Sequence, residues 1–158
     1  MATVYGTTYL AQNGQSTSRL PIGDVGGRVR SLYFTHTFAA DVNAISDIVK
    51  LCKLPKGARV VGGRLYSPSL GTTGIFHWGW AASAELDSAG TALELIDADG
   101  FGVSLDAGGQ AVDSTMAGTV GGFLKKFAAD VDVQLTLTEA TDSAINDVIK
   151  GALFYVVD

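Results

Sequence analysis

The clearest pattern of hydrophobic and polar positions lies near the C-terminal end of the chain, in two segments joined by a polar stretch. In residues 131–138, apolar and polar side chains alternate, which predicts a β-strand with one dry and one wet face. In residues 148–157 both alternating sets are largely apolar, which predicts a central strand covered on both faces. The link, residues 139–146, is rich in turn formers and too short for a parallel crossover, so an antiparallel hairpin is predicted.

Two patterns upstream predict further strands. In residues 28–38, Leu32, Phe34 and Phe38 share one side of an extended segment, and we expect that side to face the core. Residues 55–57, Pro-Lys-Gly, predict a reverse turn, because proline fixes φ and glycine allows positive φ. The runs on either side of this turn are therefore expected to form a second hairpin.

Three large aromatic residues, Phe76, Trp78 and Trp80, would lie on one face of another predicted strand. Rings of this size stabilise a small β-domain when they are buried, which favours a place in the core. The alternative is an exposed platform on Trp78 and Trp80 that stacks against sugar rings. On the other side of the same strand, Gly79 would let a neighbouring backbone approach closely.

The strand pattern fades after residue 81. Residues from about 84–122 are predicted to form an acidic insert of loops and one short helix, which begins at Thr91 with Glu94 completing a capping box. Residues 1–27 are too polar to fold alone, so they form either an extended N-terminal arm that orders against a neighbour or a loose terminus. The remainder, residues 28–158, is predicted to be one all-β, antiparallel β-sandwich domain.

Composition and charge narrow the classes of function. Only 17% of the residues are charged, which is sparse for a free monomer, so we expect part of the surface to lie in subunit contacts. Residues 1–64 carry a net charge of +5, whereas residues 65–124 carry seven acidic residues and no basic one. A pI near 4.8 argues against nucleic acid as a partner. No apolar run is long enough to span a membrane.

No residue pattern indicates catalysis or ligation of a metal. The chain has neither the Gly-x-Ser-x-Gly nucleophile elbow nor a phosphate-binding glycine motif, and one cysteine with two histidines is too few for a zinc site. Residues 97–100 resemble the start of a calcium loop, but glycine and glutamate do not fall at the required positions. Cys52 lies in an apolar run and is predicted to be a buried structural thiol. We therefore predict no enzyme activity, no cofactor and no metal.

Several short motifs along the chain carry a resemblance to a known family. They are GGRVR at residues 26–30, KLPKGARV at 53–60, GWAAS at 79–83, KKF at 125–127 and YVVD at 155–158. From about residue 26 to its end, the chain resembles small virion proteins of tailed bacteriophages. The resemblance implies a capsid decoration, or cement, protein: a jelly-roll-like β-sandwich made in the host cytoplasm, assembled as a homotrimer and bound to the outer surface of the head.

On this resemblance, the partner is the major capsid protein, and binding stabilises the capsid against internal DNA pressure. The capsid-docking candidates are basic: Arg19, Arg28, Arg30, Lys53, Lys56 and Arg59. The alternative for those near the predicted turn is a solvated face. The candidates for subunit contact are Phe154 and Val156. The alternative function is a carbohydrate- or receptor-binding head fibre or tail module, which would expose Trp78 and Trp80.

Overall fold

The computed structural model describes residues 28–38, 44–116, 120–140 and 147–157. These residues form eight strands: β1 (Arg30–Thr37), β2 (Ile48–Leu54), β3 (Ala58–Ser67), β4 (Ile75–Trp80), β5 (Asp97–Asp106), β6 (Val112–Thr115), β7 (Val131–Leu137) and β8 (Val148–Val157). The described part of the chain contains no helix.

The strands form two antiparallel four-stranded sheets. The front sheet has the order β1-β8-β3-β6 and the back sheet has the order β2-β7-β4-β5. The pairing is nested, because β1 pairs with β8, β2 with β7, β3 with β6 and β4 with β5. Apart from the link between β4 and β5, each connection leads from one sheet to the other. The predicted all-β, antiparallel β-sandwich is therefore confirmed.

The core lies between the two sheets and is built from the inward side of each strand. Phe34 on β1, Leu153 on β8 and Leu65 on β3 are buried on the front sheet. Trp78 on β4 and Leu135 on β7 are buried on the back sheet. The prediction that Leu32, Phe34 and Phe38 share the inward side of the first strand also holds, since all three belong to this core or pack against it.

Both predicted hairpins are wrong, although their strands exist. β7 belongs to the back sheet and β8 to the front sheet, where β8 takes the predicted central place between β1 and β3. The turn at residues 55–57 also forms: the Ala58 N–H donates to the Pro55 carbonyl at 3.1 Å, and Gly57 has a φ of 81°. It joins β2 in the back sheet to β3 in the front sheet. Alternation of apolar and polar residues shows that a strand has one buried face, but it does not show which strand pairs with it.

The predicted insert, about 84–122, is a second correction, since it contains β5 and β6, two strands of the sandwich. The predicted short helix does not form. The Thr91 N–H donates to Asp87 Oδ1 at 2.9 Å, and Glu94 is buried against another segment. The register between β5 and β4 shifts twice along the pair. Because of these shifts, apolar and polar residues do not alternate regularly along β5, and its sequence does not predict a strand. The close backbone approach expected at Gly79 does occur: a Cβ there would lie 2.0 Å from the Asp97 carbonyl oxygen.

The predicted N-terminal arm, residues 1–27, lies outside the described residues, as does Arg19. The boundary at residue 28 between the arm and the domain therefore stays a prediction. Within the described ranges, no helix has the length and hydropathy needed to cross a membrane.

Candidate functional site

The fold gathers most of the predicted docking residues at one end of the sandwich. Arg30 at the start of β1 pairs with Tyr155 near the end of β8, and Val60 near the start of β3 pairs with the same Tyr155. The turn at residues 55–57 brings the end of β2 to this level. We call this the Arg30 end; it carries Arg28, Arg30, Lys53, Lys56 and Arg59.

The basic residues at the Arg30 end differ in their surroundings. Lys53 lies 3.8 Å from Asp132, which also pairs with Lys50 at 2.8 Å, and Lys56 lies 3.1 Å from Glu85. These pairs are exposed, and each contributes less than about 1 kcal/mol to stability. Glu85 balances the charge of Lys56, whereas Asp132 is shared between Lys50 and Lys53 and balances only one of them. Arg28 and Arg30 are exposed and Arg59 is half-buried, so Arg28, Arg30 and the exposed Lys53 present most of the solvent-facing positive charge here.

A buried ion pair holds the long loop before β5 onto the sandwich. Glu94 is 5% exposed, and its Oε1 accepts a hydrogen bond from the Ala128 N–H at 2.5 Å. Its Oε2 lies 2.9 Å from Lys125 Nζ, which sits 5.8 Å from the ring centroid of Trp80. A carboxylate can be buried this deeply only when it is paired and hydrogen-bonded. The pair therefore fixes the loop between β4 and β5 against the segment that precedes β7.

Both tryptophans proposed as a sugar platform are buried. Trp78 is 0% exposed and packs against Phe34 and Phe101, with ring centroids 6.1 and 5.5 Å away. Trp80 is 2% exposed, with Phe101 at 5.1 Å and Phe127 at 5.0 Å. Its Nε1 donates to the Leu95 carbonyl at 3.0 Å. The sequence interpretation that favoured the core is confirmed, and neither ring offers a free face to a ligand.

The two candidates for subunit contact fall on the outward side of β8 but differ in exposure. Phe154 is 36% exposed, whereas Val156 is only 5% exposed within a single chain. The expectation that β8 is covered on both faces is thus met at Val156 and not at Phe154.

A shallow groove lies on the outward side of the front sheet, and sequence reasoning missed it. It has a volume of about 590 Å³ and is lined by Tyr33, Arg64, Tyr66, Asp113, Lys150, Gly151, Ala152 and Phe154. The register explains its shape: Ala152 on β8 has Tyr33 opposite on β1 and Arg64 opposite on β3. The small Ala152 side chain forms the floor between two larger neighbours. We call this feature the Ala152 groove.

One polar pair borders the Ala152 groove. Arg64 donates two hydrogen bonds to Asp113, from Nε to Oδ1 at 2.8 Å and from Nη2 to Oδ2 at 2.5 Å. Because of these bonds, the pKa of Asp113 lies below its usual value and the pKa of Arg64 lies above it. Both groups keep their charge across the ordinary pH range. The residues of the groove lie on the outward faces of their strands, and they come together only through the pairing of those strands. The sequence therefore indicates the groove only if this pairing is already known.

The described residues offer little reactive chemistry. No group of three or more histidine, cysteine, aspartate or glutamate side chains among them could hold a metal ion. Burial, with a smaller contribution from Asp132, raises the pKa of Cys52 to about 12, so the thiol is not ionised near neutral pH. His77 Nδ1 accepts a hydrogen bond from the Ser104 N–H at 3.0 Å, which gives this imidazole a structural contact between β4 and β5.

Comparison of the sequence with protein-family models and with curated protein sequences finds no match. Comparison of the structure shows that chains of this fold occur in phage capsids. A chain in the capsid of Ralstonia phage GP4 aligns with a TM-score of 0.66 and 21% identity, over 92% of this chain and 93% of that one. A chain in the cyanophage Pam1 capsid asymmetric unit aligns with a TM-score of 0.62 and 18% identity, over 92% and 96%. At these identities the similarity establishes the fold.

Proposed function

We propose that the protein is a non-enzymatic structural component of a bacteriophage virion, and specifically a decoration, or cement, protein on the outer surface of the head. The observation that carries the proposal is the alignment of nearly the whole chain with nearly whole chains from two phage capsids. The five sequence motifs noted above point to the same group of proteins independently of the structure. The nested strand pairing also supports interpretation of the sandwich as a jelly roll.

The size of the chain favours an accessory subunit over a shell subunit. The described residues form one sandwich, and the two aligned capsid chains are of similar length, because the alignments cover more than nine-tenths of each chain. A shell subunit must span a share of the capsid surface and contact neighbours on all sides. A single sandwich of two four-stranded sheets, as in the described residues, has little material for this, but it has enough to sit on a shell that is already built.

The Arg30 end is the surface that docks to the major capsid protein in this proposal. It presents the exposed charges of Arg28, Arg30 and Lys53, while Lys56 contributes less because Glu85 pairs with it. Arg59 is half-buried at the same end. Arg28, the first described residue, lies at this same end, so the predicted arm of residues 1–27, with Arg19, is proposed to engage the same neighbour as the arginines. Many weak contacts of this kind gain strength when the subunit binds at several points at once.

The proposal further makes the protein a homotrimer that contacts no nucleic acid and no membrane, and that is synthesised in the host cytoplasm before joining the virion. A trimer that contacts several capsid subunits clamps them against the pressure of the packaged DNA. Phe154, at 36% exposure, is the better candidate for subunit contact, since Val156 already lies buried in one chain.

The test is a binding experiment with phage heads stripped of accessory proteins. The purified protein is added over a range of concentrations, and its occupancy on the heads is measured by gel densitometry and cryo-electron microscopy. We expect saturable binding on the outside of the shell and greater resistance of the loaded heads to heat. Absence of any binding by the wild-type protein would remove the decoration proposal.

Charge reversal tests the docking surface. We expect the double variant Arg28→Glu, Arg30→Glu to lower occupancy at least tenfold while the oligomeric mass, measured by light scattering, stays unchanged. Lys150→Glu is the matched control, because it reverses one exposed charge on the outward side of the front sheet, away from the Arg30 end. Equal occupancy of the double variant and the control would show that capsid docking does not use the Arg30 end.

A further inference from the structure

The Ala152 groove is an aromatic surface that the core does not use. Tyr33 is 76% exposed and Tyr66 is 43% exposed, so both rings are accessible to solvent on the outward side of the front sheet. Exposed apolar patches that contain several aromatic side chains are typical of binding sites, whereas single exposed apolar residues are common on any surface. Three large aromatic side chains border one groove here, with Phe154 closing one end.

The groove also has the dimensions and the polar groups of a small-ligand site. Tyr33 and Arg64 stand on strands either side of β8, so their backbones are roughly 10 Å apart, two strand spacings. The floor between them is Ala152, which leaves room for a ring-shaped ligand. Lys150 and the Arg64–Asp113 pair line the same groove and offer hydrogen-bond donors beside a carboxylate acceptor.

We propose that the Ala152 groove binds an oligosaccharide. The apolar C–H faces of a pyranose ring stack on the exposed faces of Tyr33 and Tyr66, the arrangement for which aromatic side chains are suited. Vicinal hydroxyl groups bridge Arg64 and Asp113, because a hydroxyl both donates and accepts and can satisfy both members of the pair. Lys150 donates to a further hydroxyl at the edge of the sugar.

The charges in the groove favour a sugar over a second copy of this chain as the occupant. Lys150, Arg64 and Asp113 line the groove together with its aromatic residues, whereas the centre of a protein interface is depleted of charged residues. A second protein surface laid over them would remove their water, which is costly unless each charge finds a new partner. A saccharide replaces that water with its own hydroxyls and leaves the groove open on one side.

This inference goes beyond the proposed function and does not depend on capsid docking. It shares Phe154 with the proposed trimer contact, so the two proposals assign that side chain differently, and the oligomeric mass of the Tyr33→Ala variant decides between them. Docking to a capsid uses the Arg30 end, whereas the groove lies on the outward side of the front sheet. It also differs from the sugar platform predicted from the sequence, because Trp78 and Trp80 are in the core and take no part.

The test uses the full-length protein and three neutral probes: cellohexaose, maltohexaose and chitohexaose, each titrated up to millimolar concentration. Binding is measured by calorimetry, and amide chemical-shift changes locate it. We expect at least one probe to bind and to shift amide signals of β1, β3 and β8. Tyr33→Ala should weaken that binding roughly three- to tenfold, the loss of one stacked ring, and Tyr33→Phe should leave it nearly unchanged.

Two controls separate a sugar site from a folding effect or a subunit interface. Ile48→Ala removes an exposed apolar side chain from the back sheet and should leave binding as in the wild type. Arg64→Met keeps an unbranched apolar stem but removes the guanidinium and its hydrogen bonds, and should weaken binding. The proposal is overturned if none of the probes binds, if Tyr33→Ala binds as tightly as the wild type, or if Tyr33→Ala changes the oligomeric mass, which would identify the groove as covered by a second copy.

Discussion

Glu94 and Lys125 form an ion pair of 2.9 Å in which the carboxylate side chain is 6% exposed and the ammonium side chain 33%. The pair joins a loop with no regular secondary structure to the segment that precedes β7. Lys125 lies over the rings of Trp80 and Phe127 at 5.8 and 5.6 Å, so the charge sits against the aromatic part of the core. Together with the hydrogen bond from Trp80 Nε1 to the Leu95 carbonyl, this pair ties a long, acidic, glycine-containing loop to the sandwich.

Removal of Lys125 should therefore destabilise the protein more than removal of a surface lysine. We expect Lys125→Met to lower the free energy of unfolding by about 2 kcal/mol, because it leaves the Glu94 carboxylate buried without its counter-charge. Lys56→Met is the matched control, since its pair with Glu85 is exposed, and it should cost less than about 1 kcal/mol. Urea denaturation measures both. Equal costs for the two variants would contradict this account of the pair.

Gly79 should tolerate no side chain. A Cβ there would lie 2.0 Å from the Asp97 carbonyl oxygen, which belongs to backbone and cannot move without parting β4 from β5. We expect Gly79→Ala to cost about 3 kcal/mol or more, measured by thermal unfolding. Gly62→Ala is the comparison, because its Cβ would meet only the Phe154 ring at an ordinary 3.7 Å. A similar cost at both positions would mean that the close approach at Gly79 is not what matters.

The extent to which the fold follows from the sequence is clearest in β7. The alternation of Val131, Val133 and Leu135 with polar residues predicts both the strand and its buried face, and all three side chains are buried. The alternation cannot show which strand pairs with β7. A strand with one buried face can pair with the next strand along the chain, or it can lie in the opposite sheet from that strand, equally well. In this topology nearly every connection changes sheets, so hairpins predicted from short links were wrong.

The candidate site follows from the sequence only in part. The sign of the charge at Arg28 and Arg30 could be predicted, but the pairing of Lys53 with Asp132 could not, because it depends on β2 lying beside β7. The Ala152 groove needs three strands in register, none adjacent to another along the chain. Such a site has no local motif, so no reading of single segments could have found it.

Asp97 and Asp113 should give opposite responses to pH. Burial, and then the neighbouring Asp99, raises the pKa of Asp97 above 3.8, so its ionisation opposes folding at neutral pH. We expect Asp97→Asn to stabilise the protein at pH 7 by less than about 1 kcal/mol, since the side chain is only partly buried and water screens its charge. The gain should shrink as the pH falls through the raised pKa and should vanish below about pH 3.8, where the wild-type group is neutral in both states.

The reverse is expected for Asp113, whose pKa is lowered by its hydrogen bonds with Arg64. Asp113→Asn should reduce stability at pH 7, and the difference from the wild type should decline only as the pH falls below 3.8 and through the lowered pKa. Denaturation midpoints of both variants between pH 3 and pH 7 measure the two trends. Curves of the same sign for both would contradict the assigned shifts.

Cys52 should be chemically inert while the protein is folded. With its pKa raised from 9.0 to about 12, the thiolate population at pH 8 is lower by a factor of about a thousand, and the thiolate is the form that reacts. We expect the rate of reaction with a disulfide reagent at pH 8 to fall by a similar factor relative to the protein unfolded in urea. Glutathione in the same urea corrects for the effect of the denaturant on the reagent. A folded-state rate within tenfold of the unfolded one would show that the thiol is accessible and ionisable, and would remove the structural role predicted for it.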